Sequence, residues 1–329
     1  AYERALGVQG LGENVNRREL LAAVAAVTAG TAASEPLARL LDGLALPEVP
    51  RQVGMAEVAA VQQATSVYTS MDLRYGGVVA ADVSSGALRW AVKLLDASMP
   101  DDTRAELSAA VGALADRTAW THHDSGHSYS ARRLSTLALR TADQGNDPDL
   151  RAHVILNMAS QIGEAQPAEA ARLVDVALSD GRVCTLERAN LHAVRARHLA
   201  NAGEVREALD HITTAERLLG QDGEAPQWAS FLTTAHLDKL ITEALTAAGE
   251  NQEATHRFEM ILPRFGQDRL RGKAGMMTSL ATLYVADGRV DEAIDLAQQA
   301  GAALDTVRSG RASGGLVKLN KLIRTATKA

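Results

Sequence analysis

One short pattern recurs six times along the sequence: a glycine followed five residues later by an alanine. The six pairs are Gly76/Ala81, Gly126/Ala131, Gly163/Ala168, Gly203/Ala208, Gly249/Ala254 and Gly288/Ala293. Glycine ends a helix readily because it adopts the left-handed backbone conformation without steric cost, and alanine lets the following helix pack closely against the first. The pattern therefore predicts a series of antiparallel helix hairpins that turn at each glycine.

The final repeat carries the fullest version of the pattern, with a large residue, leucine, a small residue, tyrosine, glycine and three small residues in order. These residues are Met277, Leu280, Ala281, Tyr284, Gly288, Ala293, Ala297 and Ala300. Their spacing is that of the tetratricopeptide motif. We therefore predict an all-α fold, a tetratricopeptide-like right-handed superhelix of antiparallel helix hairpins. An aromatic share of only 3% agrees with helices that pack closely through small side chains.

The repeat around Gly163 departs from the pattern. Arg172 occupies a position after the turn where an apolar residue is expected. A two-residue insertion would bring Ala170, Val174 and Ala177 onto the apolar positions. The intervals between turn glycines range from 37 to 50 residues, longer than the roughly 34 residues of the regular motif. We therefore expect an irregular array.

The positions of glycine and proline divide the chain into four regions. Residues 1–15 are typical of a linker, and residues 16–55 of a linker region with a short helix. Residues 56–308 hold the tetratricopeptide-like repeats, and residues 309–329 are predicted to form a C-terminal capping helix.

The predicted capping helix runs from Leu316 to Thr327, after a break over Ser309–Gly315. Its apolar face consists of Leu316, Leu319, Leu322 and Ile323. Such a helix covers the exposed side of the last hairpin in an array. The same region holds a basic cluster of Arg308, Arg311, Lys318, Lys321, Arg324 and Lys328. A charged face of this kind is usually solvated, although docking to DNA or to a partner is the alternative.

The overall charge argues against DNA binding by this chain alone. The net charge is −6 and the pI is near 5.9, whereas a phosphate backbone requires a clustered basic surface. Cys184 is the single cysteine and cannot form an internal disulfide, which suits a reducing cytoplasm. The apolar stretch after Arg17 and Arg18 is short and rich in alanine, so we expect no membrane-spanning segment.

The sequence holds no nucleophile motif, phosphate-binding glycine loop or paired-carboxylate signature. We therefore predict neither enzyme activity nor a cofactor. One cluster of potential metal ligands consists of His122, His123, Asp124 and His127. His123 and His127 lie on either side of a predicted helix break instead of at i and i+4 of one helix. This spacing favours solvent-facing turn residues, and we predict no metal site.

The concave face of a tetratricopeptide array is lined by the first helix of each hairpin, so its residues can be counted back from the turn glycine. From the residues that the count places in the groove, we predict eight as ligand-binding: Trp120, His123, His153, Asn157, Asn190, Arg197, Lys239 and Glu243. Asparagine amides donate and accept at once, which suits an extended peptide, and Arg197 and Lys239 could receive a carboxylate. The alternative is that all eight belong to the solvated side of amphipathic helices.

Four stretches of the sequence carry a resemblance to a known family. They are Asp72-Leu73-Arg74-Tyr75-Gly76-Gly77, Trp120, Asp124-Ser125-Gly126 and the Ala-Gly-Glu-Val-Arg-Glu-Ala run at residues 202–208. Together they resemble the carboxy-terminal part of actinobacterial transcriptional regulators that join a Cro/repressor-like helix-turn-helix to tetratricopeptide repeats. The segments Ala1–Gly7 and Val15–Arg18 resemble the end of that helix-turn-helix module and the linker after it.

The resemblance implies that this chain is the sensing and dimerising part of such a regulator. Residues 1–15 would then be the linker from a helix-turn-helix module that is not in this chain, and DNA would be bound only through that module. The layout is also similar to that of the peptide-pheromone receptors of other Gram-positive bacteria, which hold a short peptide on the concave face of their repeats. A homodimer with a peptide or small-molecule effector in the concave groove is therefore expected.

Two functions remain open on the sequence. The first is a ligand- or peptide-sensing and dimerisation domain of a cytoplasmic transcriptional regulator. The second is a tetratricopeptide scaffold whose groove binds another protein. Repeats alone do not decide between them, but a helix-turn-helix encoded upstream would favour the first and its absence would favour the second.

Overall fold

The computed structural model describes residues 50–327 except residues 222 and 267, and this part of the chain contains thirteen α-helices. They are α1 Met55–Tyr75, α2 Gly77–Leu94, α3 Asp101–Asp124, α4 Ser128–Gln144, α5 Pro148–Ile162, α6 Pro167–Leu178, α7 Thr185–Asn201, α8 Val205–Leu219, α9 Thr234–Ala248, α10 Asn251–Ile261, α11 Leu270–Ala286, α12 Val290–Thr306 and α13 Gly310–Ala326. The described residues form no β-strand. The predicted linker over residues 1–15, and most of the region 16–55, lie outside the described residues.

Consecutive helices pair as antiparallel hairpins: α1 with α2, α3 with α4, α5 with α6, α7 with α8, α9 with α10, and α11 with α12. From α1 to α9, the first helix of each hairpin also packs against the first helix of the next. The last hairpin joins the array through α10 and α11, and α13 packs on both α11 and α12. This arrangement confirms the predicted all-α, tetratricopeptide-like fold of helix hairpins.

Five of the six predicted turn glycines have the left-handed backbone conformation, with φ between 77° and 91°. They are Gly76, Gly126, Gly203, Gly249 and Gly288. The alanine five residues after each of them is buried. These positions therefore set both the turn of each hairpin and the close approach of its two helices, as the sequence predicts.

Gly163 is the exception among the six. Its φ of −61° and ψ of −26° are those of a right-handed helix. Ala168, five residues later, is exposed, whereas Ala170, Val174 and Ala177 are fully buried. The two-residue insertion is therefore confirmed for this repeat, and the pairing of Gly163 with Ala168 is wrong.

Gly163 is needed because an imidazole ring lies directly against it. A Cβ atom on residue 163 would lie 2.1 Å from Cε1 of His198. The His198 side chain is 2% exposed, and neither of its ring nitrogens has a hydrogen-bond partner among the described residues. Burial, together with the charge of Arg197, lowers the pKa of His198 to about 4.

The last hairpin returns to the first. α11 packs against α1, and the N–H of Arg308 donates to the carbonyl oxygen of Tyr75 at 2.8 Å. The N–H of Val78 donates to the carbonyl oxygen of Arg308 at 3.2 Å. A Cβ atom on Gly76 would lie 2.3 Å from that carbonyl oxygen, so only glycine allows this approach. The described hairpins therefore form a closed array instead of an open groove.

The C-terminal helix begins earlier than predicted. α13 starts at Gly310, and Ser309 caps it because its hydroxyl accepts the N–H of Ala312 at 3.2 Å. The predicted break over Ser309–Gly315 is therefore wrong. A serine N-cap stabilises a helix start by about 1 kcal/mol. The helix therefore begins at the Ser309 cap and continues through Gly314 and Gly315.

The apolar face of α13 covers the last hairpin, but only three of its four predicted residues take part. Leu319 and Ile323 are buried, and Leu316 is partly buried against the same core. Leu322 is exposed instead. The residues that form the cap are therefore three to four positions apart, a spacing that places them on one face of the helix.

The packing of the last hairpin predicts the effect of an introduced charge. Tyr284 and Ala293 are both buried, as the sequence predicts, with Ala293 fully so. Ala293→Asp should lower the free energy of unfolding by about 3 kcal/mol or more, because a carboxylate would be forced into an apolar helix contact. Urea unfolding followed by circular dichroism measures the change. Ala302→Asp, on the exposed side of the same helix, should cost less than about 1 kcal/mol; equal effects would contradict the assigned register.

The buried His198 predicts a loss of stability in acid. Its pKa is lowered from 6.5 to about 4 in the folded chain, so the unfolded chain binds a proton that the folded chain does not, and stability is lost as pH falls below about 6.5. Between pH 6.5 and pH 5 the loss should be about 2 kcal/mol. His198→Phe keeps a ring against Gly163. In urea unfolding, this variant should lose less free energy of unfolding between pH 6.5 and pH 5 than the wild type, because the contribution of His198 is gone. The exposed His256→Phe is the control, and an unchanged pH dependence in His198→Phe would refute the assignment.

Candidate ligand cavity

A cavity of about 570 Å³ lies inside the closed array. Its wall is formed by the first helices of all six hairpins, the start of α13 and the loops before α9 and α11. Among the described residues, the second helices of the hairpins contribute none to this wall. The cavity thus occupies the place where the sequence predicts a concave groove. The contact between the last hairpin and the first closes it on one side, and it stays partly open to solvent.

The structure brings seven of the eight predicted ligand-binding residues to this cavity. They are Trp120, His153, Asn157, Asn190, Arg197, Lys239 and Glu243. The eighth, His123, lies outside the wall, with its ring centroid 5.5 Å from that of Trp120. The guanidinium of Arg311 from α13 lies 4.8 Å from the centre of the Trp120 ring and covers this end of α3. The role of all eight in binding a ligand stays a prediction.

The predicted asparagines belong to a buried network beneath the cavity. Nδ2 of Asn157 donates to both carboxylate oxygens of Asp116 at 3.0 Å. Nδ2 of Asn190 donates to the carboxylate of Glu187 at 3.2 and 3.3 Å. These amide N–H groups were expected to reach a peptide backbone, but they are engaged because two buried carboxylates need donors. Oδ1 of Asn190 has no hydrogen-bond partner among the described residues.

His153 lies between the same two carboxylates. Its Nδ1 is 3.1 Å from Glu187 and its Nε2 is 3.8 Å from Asp116. Burial alone would lower the pKa of His153, but Glu187 and then Asp116 outweigh burial and raise it. The ring also packs against Trp228 and Phe231, each with centroids 5.2 Å away. The cavity floor therefore favours a protonated imidazole held by two carboxylates.

Two cations of the cavity wall share the carboxylate of Glu243. Nη1 of Arg197 donates to one of its oxygens at 2.9 Å, and Nζ of Lys239 donates to the other. Burial alone would raise the pKa of Glu243, but Lys239 and Arg197 together lower it to about 2. Burial lowers the pKa of Lys239, with Glu243 opposing the change. The two cations predicted to receive a ligand carboxylate thus already share one internal carboxylate.

Two fully buried aspartates close the array beside the cavity. Asp72 of α1 binds Nη1 of Arg117 at 3.2 Å and also accepts from Nη1 of Arg271 on α11. Asp124 at the end of α3 accepts the N–H of Gly77 at 3.1 Å and the hydroxyl of Ser309 at 2.8 Å. These side chains join the first two hairpins to the last hairpin and its cap. A buried carboxylate is stable only with such donors.

Four arginines of the wall are not among the ligand-binding residues that the sequence predicts: Arg117, Arg269, Arg271 and Arg311. Arg117 lies nine residues before its turn glycine, as do Val194 and Leu240, which also line the cavity. The count that found Trp120 could therefore have found it. Arg271 lies in the first turn of its helix and beyond that count. Arg311 belongs to the basic cluster that is expected to be solvated; its side chain is 51% exposed and also lines the cavity, because α13 begins earlier than predicted.

The charge of the wall is strongly one-sided. Among the described lining residues there are six cationic side chains, Arg117, Arg197, Lys239, Arg269, Arg271 and Arg311, and one carboxylate, that of Glu243. Arg269 donates to the backbone carbonyls of Phe231 and Ser230 at 2.9 and 3.4 Å. Apolar surface comes from Leu73, Leu156, Val194, Phe231, Leu240 and Phe265. The cavity thus combines cations with apolar walls.

The histidine cluster at the end of α3 is dispersed in the structure. Nε2 of His122 lies 2.9 Å from the hydroxyl of Ser85, and Asp124 is buried in the closure. No group of three or more potential metal ligands occurs among the described residues.

Burial raises the pKa of the Cys184 thiol to about 11. Within the described part of the chain, no helix is long and apolar enough to cross a membrane.

Comparison with known proteins gives a structural likeness and no sequence match. No family model matches the chain, and no curated protein matches it. Among solved structures, the chain is similar to a Rap protein complexed with competence and sporulation factor. The two are 12% identical, the match covers 76% of this chain and 77% of that one, and the TM-score is 0.47. The fold assignment therefore rests on the helix hairpins of this chain itself.

The shared carboxylate of Asp72 predicts a large stability effect. Asp72→Asn would leave Arg117 and Arg271 without their common counter-charge in a buried site. We expect a loss of about 3 kcal/mol in the free energy of unfolding, measured by urea denaturation. Glu169→Gln removes an exposed ion pair with Arg172 and should cost less than about 1 kcal/mol. Similar small effects for both variants would contradict a closure held by Asp72.

Proposed function

We propose that this chain is the effector-sensing and dimerisation part of a cytoplasmic transcriptional regulator. A small molecule or short peptide binds in the cavity, and DNA is bound by a module that is not in this chain. The observation that carries the proposal is the cavity to which the first helix of every described hairpin contributes. A site that touches all hairpins at once is placed to change their relative positions.

The size of the cavity limits the effector. A volume of about 570 Å³ falls in the range of roughly 300–1,000 Å³ that is typical of small-molecule sites. Because the array is closed, a long extended peptide has no open groove to follow. The volume of the cavity therefore supports a compact effector.

The effector site and the closure share side chains, which supports a route for the signal. Arg271 and Arg311 both line the cavity, and both lie within 4 Å of the carboxylate of Asp124. An effector that contacts these arginines would alter how the last hairpin and its cap fit on the first hairpin. A ligand shifts an equilibrium only through such differential contacts. In a homodimer, the shift would reposition two DNA-binding modules.

Filling the cavity tests this function. Gly275 of α11 lines the cavity, and a Cβ atom there meets nothing within 4 Å. Gly275→Leu should therefore occupy the effector's space without a clash. Gly314→Leu is the matched control, because Gly314 is also helical with nothing within 4 Å, but it is exposed and outside the wall.

Native mass spectrometry of protein purified from its own host provides the measurement. The wild type and Gly314→Leu should carry an additional bound mass, and Gly275→Leu should lose it while its circular dichroism melting curve stays that of a folded protein. An equal bound mass on Gly275→Leu would contradict the proposed site. The absence of any bound mass from all three proteins would also count against an effector in the cavity.

A further inference from the structure

The charges of the cavity wall differ from those of the whole chain. The chain has a net charge of −6, yet its described lining residues carry six cations and one carboxylate. Buried carboxylates behind the wall compensate much of this excess: Asp72 pairs with Arg117 and Arg271, and Asp124 lies within 4 Å of Arg271 and Arg311. Asp116 and Glu187 lie on either side of the His153 ring. Concentrating cations in a partly buried space costs free energy unless an anion is present.

Three of the wall's cations, on α7, α9 and α13, have two nearby carboxylates between them. Arg197 and Lys239 share the single carboxylate of Glu243. Arg311 is 51% exposed in its side chain, and the one described carboxylate within 4 Å of it is Asp124, at 3.6 Å from Nε. Asp124 already accepts two shorter hydrogen bonds from neutral donors. The Arg311 guanidinium therefore keeps N–H groups that an anion could use.

These cations lie close enough to oppose one another. Burial lowers the pKa of Lys239, and the charges of Arg197 and Arg311 lower it further. Although half of the Arg311 side chain is exposed, desolvation by the surrounding protein lowers its pKa, and repulsion from Arg271 and Arg197 lowers it further. An anion placed among the cations would relieve this repulsion, and it would be held most tightly by the bidentate guanidinium groups.

Apolar surface adjoins the cationic corner. Leu240 lies one residue from Lys239 and Val194 lies three residues from Arg197, and both line the cavity. Aromatic rings of Phe231 and Phe265 complete the wall from the loops. A ligand that satisfies the whole surface therefore needs an apolar body as well as a charged group.

We propose that the effector is an organic anion, with a carboxylate or similar oxyanion held by Arg197, Lys239 and Arg311 and an apolar body against the remaining wall. The inference rests on the proposed function, since it names the chemical class of the effector that binds in the cavity. The oxyanion has two natural sources, a small organic acid and the C-terminal carboxylate of a short apolar peptide.

Two fluorescent dyes with the same aromatic rings separate charge from apolar contact. The anionic dye is 8-anilinonaphthalene-1-sulfonate, and the neutral dye is N-phenyl-1-naphthylamine. The wild-type chain should bind the anionic dye at least about tenfold more tightly in fluorescence titrations. Gly275→Leu should weaken both dyes, because it fills the cavity, and Gly314→Leu should weaken neither.

Charge variants then identify the side chains responsible. Arg197→Met and Arg311→Met should each reduce the affinity for the anionic dye about tenfold more than the affinity for the neutral dye. Lys318→Met is the matched control for charge, because Lys318 lies on α13 with Arg311 but pairs with the exposed Glu164 at 2.7 Å. It should change neither affinity.

The outcomes distinguish this inference from the proposed function. If Gly275→Leu weakens both dyes but the wild type binds them equally, the cavity remains a binding site and the anionic effector is refuted. If Gly275→Leu weakens neither dye, the cavity is not a binding site and the proposed function fails. If Lys318→Met acts like Arg311→Met, the preference reflects overall charge, and the assigned corner is wrong.

Displacement of the bound anionic dye separates the two sources of the oxyanion. Octanoate represents a small organic acid and octanol its neutral counterpart, while N-acetyl-trileucine with a free carboxylate is compared with its C-terminal amide. Displacement by one acid and not by its neutral counterpart supports the inference and identifies the source. Displacement by octanol or the amide as effectively as by the acids, or by neither acid, would overturn it.

Discussion

The carboxylate of Asp72 joins parts of the chain that are far apart in sequence. It binds Arg117, 45 positions away, and Arg271, 199 positions away, while being completely buried. A buried carboxylate without cationic donors would cost several kcal/mol, so this position strongly favours the return of the last hairpin to the first. Asp124 reinforces the closure by accepting from Ser309. The cavity lies beside this closure, and Arg117 and Arg271 belong to both.

The closure also explains the unusual charge of the cavity. The arginines that neutralise Asp72 and Asp124 extend from the rim into the wall, so the groups that hold the array together are also groups that a ligand would meet. Glu243 repeats this arrangement with two cations on one carboxylate. The same side chains therefore contribute to the stability of the closed array and to ligand recognition, and a substitution that alters the stability should also alter the ligand affinity.

The local features of the structure could be predicted from the sequence, and the distant ones could not. Five turn glycines and the positions counted back from them are fixed by the helical repeat, which is why Trp120, Arg197 and Glu243 were found. The pairing of Asn157 with Asp116 could not be predicted, because side chains about forty residues apart leave no periodic signal. Glu187 lies three residues from Asn190 on the same helix, so the helical spacing does allow that pairing to be predicted. The contact between the last hairpin and the first is also distant in sequence, and it turns the predicted groove into a partly open cavity.

Amide hydrogen exchange at two backbone positions tests the closed array most directly. The N–H of Val78 lies in the first turn of its helix and donates to Arg308, and the N–H of Arg308 donates to Tyr75. Neither amide would be protected in an open array, because neither has a partner in its own helix. The account predicts that both exchange far more slowly than unprotected amides in nuclear magnetic resonance spectra of the native chain. Exchange at the unprotected rate at both positions, with the helix interiors still protected, would contradict it.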